Sequence, residues 1–98
     1  MNNNKNDYDY DLNVLRGEID EIDDNITELL LKRFDIVLKV AEYKKANITE
    51  ILQKDRETEI FNNIDKKIDK SGKSGDYKKY IRNIYQSILD ASKQSQIK

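Results

Sequence analysis

Cysteine, histidine, proline and tryptophan are all missing from this 98-residue chain, and two of these absences close off whole classes of chemistry. Without thiols there is no disulfide, no thiolate zinc centre and no cysteine nucleophile, and a cytoplasmic location is expected. Without imidazole the usual general base near neutral pH and the commonest metal ligand are gone, so any catalysis falls to carboxylates, to lysine or to a reaction that moves no proton. No sign of charge dominates. The 18 basic and 19 acidic residues are interspersed and leave a net charge of −1, which argues against a nucleic-acid arm or a polybasic membrane patch. No run is apolar and long enough to span a bilayer, and the start of the chain lacks the apolar stretch of a signal peptide. Residues 1–10, polar and rich in Asn and Asp, are expected to form a disordered tail, with residues 11–98 as one helical domain. At 37% apolar residues so short a chain builds a thin core, and a partner chain is expected.

What is present is helical periodicity. From Leu15 the apolar residues recur as Ile19, Ile22, Ile26, Leu29/Leu30, Val37 and Val40/Ala41, a stripe that predicts a helix from about Asp11 to Ala46, with Asn47 as its stop. That is far longer than an average globular helix and suits a dimer. Ile48 to Lys54 reads as a connection or the first turn of the next helix. A second helix follows with Ile60, Phe61, Ile64 and Ile68 on one face, closed by Lys70, Ser71 and Gly72. Asp76 is the expected N-cap of a third, whose face is Tyr77, Tyr80/Ile81, Ile84/Tyr85, Ile88 and Leu89. The fold class is all-α: long, short and medium helices. Gly17 is a blemish in the first, costing about 1 kcal/mol relative to alanine.

Polar residues interrupt these stripes. Arg33 and Lys44 lie on the first, eleven residues apart, which is about 20° around the helix and roughly 16 Å along it. Each either snorkels to solvent or pairs with a buried carboxylate such as Asp23 or Glu57, or both converge on one small anion. On the second helix, stepping back from Ile60/Phe61 reaches Glu57, with Arg56 beside it; Glu57 is otherwise a carboxylate complementing a helix N-terminus. On the third, stepping on from Ile88 reaches Ser92 and Gln96, which otherwise mark a fraying end. Arg16 is seventeen residues before Arg33, about 25 Å away along the helix and roughly 100° around it. It is either a solvated arginine or, in an antiparallel dimer of long helices, a contribution to the partner's cavity.

The strings Leu15-Arg16-Gly17-Glu18-Ile19-Asp20-Glu21-Ile22-Asp23, Leu29-Leu30-Leu31-Lys32-Arg33, Val40-Ala41-Glu42-Tyr43-Lys44, Arg56-Glu57 and Ser92-Lys93-Gln94-Ser95-Gln96, in this order and spacing, closely resemble the all-helical chorismate mutases. The resemblance covers residues 12–97. It implies an intertwined homodimer and a cofactor-free isomerase that turns chorismate into prephenate by an intramolecular [3,3] rearrangement, in phenylalanine and tyrosine biosynthesis. It also implies roles. Arg33 is similar to the arginine that binds a substrate carboxylate, and Arg16 to its counterpart from the other subunit. Lys44 and Gln96 match the donors to the ether oxygen, Glu57 the acceptor from the ring hydroxyl, Arg56 a support for that end of the pocket and Ser92 an aid to carboxylate binding. Gln53 stands where relatives often carry an acidic residue and is expected to contact substrate through backbone.

Two other readings stay open: an isochorismate-pyruvate lyase on the same scaffold, and a catalytically silent helical interaction module. No metal, nucleic acid or membrane partner is expected. No fused catalytic or regulatory domain is expected either.

Overall fold

The computed structural model describes residues 5–47, 53–73 and 75–96, with side chains over 9–44, 55–73 and 75–96. It contains α1 (Lys5–Asn47), α2 (Gln53–Ser71) and α3 (Gly75–Gln96), and no strand among the described residues. The expected order of long, short and medium helices is met at 43, 19 and 22 residues.

The boundaries follow local chemistry. α1 begins at Lys5, ahead of the Asp11 start that apolar spacing gives, because a nucleated helix propagates through polar residues as readily as through apolar ones. It ends at the expected Asn47. The expected connection from Ile48 falls outside the described residues as far as residue 52, and α2 opens at Gln53. The end of α2 is built by its last residues: the Ser71 hydroxyl donates to Ile68 O at 2.6 Å, and Gly72 N–H donates to Asp69 O at 3.2 Å. Gly72 adopts φ of 76°, a left-handed conformation that glycine enters without a Cβ penalty. Asp76 is not the N-cap of α3. The helix already includes Gly75, so Asp76 lies in the first turn, where its charge complements the positive end of the helix dipole.

The chain divides into two compact units, residues 1–35 and 36–98. In the first, α1 carries its apolar stripe in the open: Leu15, Ile19, Ile22, Ile26 and Leu29 are 47 to 62% exposed, while Leu30, Arg33 and Phe34 are half-buried. In the second, Val37, Ala41 and Lys44 are half-buried at helical spacing on the remainder of α1. There α2 packs against α3. The seam closes over Ile68 and Leu89, at 7% and 5% exposure. It is pinned by cross-helix ion pairs, Arg82 with Asp65 and Lys78 with Asp69. No helix among the described residues is long and apolar enough to cross a membrane.

Candidate functional site

The start of α2 reaches the end of α3 through an ion pair between Glu57 and Lys93. Glu57 is in the first turns of α2, Ser92 and Gln96 in the last turns of α3, and each keeps to the face that carries apolar side chains elsewhere. Ser92 is 5% exposed and donates its hydroxyl to Ile88 O at 2.8 Å. The Gln96 amide donates to Ser92 O at 3.4 Å, a long bond that is easily exchanged for another acceptor. Ser95 donates to the same Ser92 carbonyl at 2.7 Å. This end of α3 is therefore self-satisfied through backbone carbonyls, which keeps it helical while leaving Gln96 half-buried.

Glu57 crosses to the other helix. Its Oε2 is buried, and what faces it is the Lys93 ammonium at 2.7 Å, an ion pair rather than a well-aligned hydrogen bond. The side chains are 20% and 44% exposed, so the carboxylate is the more enclosed of the two. The contact with Glu57 is the main reason that Lys93 titrates above the ordinary lysine range; desolvation opposes it and the Glu57 and Asp90 charges add to it. A carboxylate in this setting keeps acceptor capacity for a second donor.

Arg56 turns elsewhere. Its guanidinium pairs with Glu59 one turn on, with 64% of its side chain exposed, so Glu57 and Arg56 leave α2 toward different surroundings. Gln53 opens α2, and its side chain lies outside the described residues. In the first unit, Arg33 is half-buried beside Phe34, and Arg16 is exposed on the open stretch of α1. Lys44, in the second unit, is half-buried on the face of Val37 and Ala41.

Two features escaped sequence reasoning. Lys93 has no role in the sequence reading, and its one signal is its place directly after Ser92. The Asp65–Arg82 clamp joins residues seventeen apart, a separation that no helical period links. A groove lined by Gly75, Lys78, Lys79, Arg82 and Asn83 opens at the start of α3. Two of its cations, Lys78 and Arg82, are already matched by Asp69 and Asp65, so its net attraction for an anion is modest.

The chain matches the family model described as chorismate mutase type II over residues 15–97. No curated protein and no solved structure matches it.

Proposed function

Because the chain belongs to the chorismate mutase type II family, we propose that it catalyses the rearrangement of chorismate to prephenate, as a cytoplasmic homodimer serving phenylalanine and tyrosine biosynthesis. The observation that carries this reading is the span of the family match, which includes every polar residue singled out above. The chemistry agrees with the composition. In a [3,3] rearrangement the ether C–O bond breaks as a C–C bond forms within one molecule, with no proton to move, so a chain without histidine or cysteine lacks nothing that the reaction needs.

What the protein must supply is confinement of a flexible dianion and stabilisation of charge on the departing ether oxygen. In this reading Arg33 grips one carboxylate through its planar fork, and Arg16 of the partner subunit reaches another. Lys44 and Gln96 donate to the ether oxygen, Lys44 also touching a carboxylate. Glu57 accepts from the ring hydroxyl, Arg56 supports that end of the pocket, and Gln53 contributes through its backbone. For Ser92 to donate to a carboxylate, its hydroxyl must turn away from Ile88 O, a cost the charged acceptor offsets. The exposed apolar stripe of α1 supports the dimer, since burying it needs a second surface.

The test is purified protein with chorismate, following loss of substrate and identifying the product. Prephenate is expected; pyruvate released from isochorismate instead would favour the lyase. Arg33→Ala and Gln96→Ala are each expected to lower kcat/KM by about 100-fold or more, the first by releasing a carboxylate of the confined dianion and the second by removing a donor to developing charge. Full turnover in both variants would remove these residues from the site. Mixing Arg16→Ala and Arg33→Ala chains is expected to restore activity through hybrid dimers; no recovery after verified subunit exchange would place Arg16 outside the partner's site.

A further inference from the structure

We infer that Lys93 is a positioning residue for Glu57, fixing that carboxylate in the orientation in which it accepts a substrate hydroxyl. The inference rests on the mutase reading given above and adds to it a residue to which that reading gives no part. Its ground is the cross-helix contact itself. Lys93 Nζ is 2.7 Å from Glu57 Oε2, the carboxylate oxygen is buried, and the ammonium comes from α3 while the carboxylate stands on α2.

A single rotatable carboxylate at the start of a helix has several rotamers, and only some of them aim at a ligand. An ion pair from the opposite helix selects among these, and it does so from one residue beyond Ser92, whose hydroxyl and carbonyl anchor that turn of α3. The angle of the contact matters as well. Because the pair is not an aligned hydrogen bond, the lone pairs of Glu57 are not all taken, and a hydroxyl can still find one. Asp90, the other charge acting on Lys93, stands on α3, the helix of the ammonium itself, and so leaves Glu57 as the partner from α2.

The reaction tells where the effect is to be read. The ring hydroxyl gains no charge as the ether bond breaks, so a contact to it is equally strong before and at the transition state. Losing such a contact raises KM and leaves kcat nearly unchanged. Lys93→Met and Lys93→Gln are therefore expected to raise KM for chorismate about tenfold, with kcat within about twofold of wild type, and Lys93→Arg to recover most of the loss. In a Glu57→Gln background the same Lys93 substitutions are expected to change KM by less than about twofold, because there is no longer a carboxylate to hold.

Unchanged KM in both Lys93 variants, with normal wild-type turnover, would overturn this inference and leave the mutase reading standing. A KM effect that persists undiminished in Glu57→Gln would also overturn it, since Lys93 would then be gripping the substrate itself. A fall in kcat at constant KM would do the same. If wild type does not turn chorismate over at all, the mutase reading fails and this inference fails with it.

Discussion

The stripe of α1 up to residue 35 and the seam between α2 and α3 are written in the same sequence language and come to opposite ends. Both are rows of Ile and Leu at helical spacing. Ile68 and Leu89 find a neighbouring helix within the chain and are buried, whereas Ile19, Ile22 and Ile26 remain about half exposed. Periodicity reports that a face is apolar, not whether or by what it is covered. Among the polar interruptions, Glu57, Ser92, Lys93 and Gln96 have partners within the second unit, while on the first Arg33 is half-buried and Arg16 is exposed.

Replacing Ile22 with aspartate is the most direct way to break this contrast. If a second copy covers the stripe, an unpaired carboxylate is buried at its centre, and association is expected to weaken by at least about 100-fold. Sedimentation at micromolar protein should show wild type as a dimer and the variant as a monomer with little mutase activity, because Arg16 no longer reaches a neighbour. A variant that remains dimeric and active would mean that the stripe faces solvent by design and the interface lies elsewhere.

The seam is expected to respond differently. Leu89 is nearly fully buried, so Leu89→Ala removes transfer energy and leaves a cavity, a loss of about 2–4 kcal/mol in denaturant unfolding. Its effect should fall on stability, with substrate affinity of the folded protein little changed, since Leu89 carries no polar group to the site. Loss of affinity out of proportion to stability would show that the position of Ser92, three residues on, depends on this one side chain.

These differences mark how far the sequence could be read. Helix number, order and type follow from spacing, and Asn47 and Gly72 end α1 and α2 as their chemistry predicts. Asp76 lies inside the first turn and not at the N-cap; an acidic residue suits both places, and only backbone geometry separates the two. Glu57, Ser92 and Gln96 were legible because a polar residue on an apolar stripe is a local anomaly. Arg56 lies off the stripe, and its pairing with Glu59 is the ordinary i, i+3 contact of a helix surface. Contacts between helices that have no period in common, such as Lys93 with Glu57 or Arg82 with Asp65, are set by the packing of α2 on α3 and leave no pattern in one dimension.

The smallest expected effect belongs to that last pair, and pH gives it a signature. Arg82 donates from Nε and Nη2 to the two oxygens of Asp65, each at 2.9 Å, while its guanidinium stacks over Phe61 at 4.9 Å. The hydrogen bonds from Arg82 are the main reason that the Asp65 carboxyl lies below its ordinary value of 3.8; desolvation works against them, and the charges of Arg82 and Lys78 add to them. A folded-state value that is depressed means the folded protein binds this proton less readily than the unfolded chain. The pair's contribution is then complete above the unfolded value, and it is lost as pH falls through the folded one. Asp65→Asn is thus expected to lower the thermal midpoint slightly near pH 7, less than Leu89→Ala does, and the gap to wild type should close as the pH falls below 3.8 and through the folded value. The pair is part-exposed, so added salt should shrink the gap at neutral pH as well. A gap that stays constant through the acid range would assign the clamp to the stacking of Arg82 on Phe61, which Asp65 then orients and does not energise.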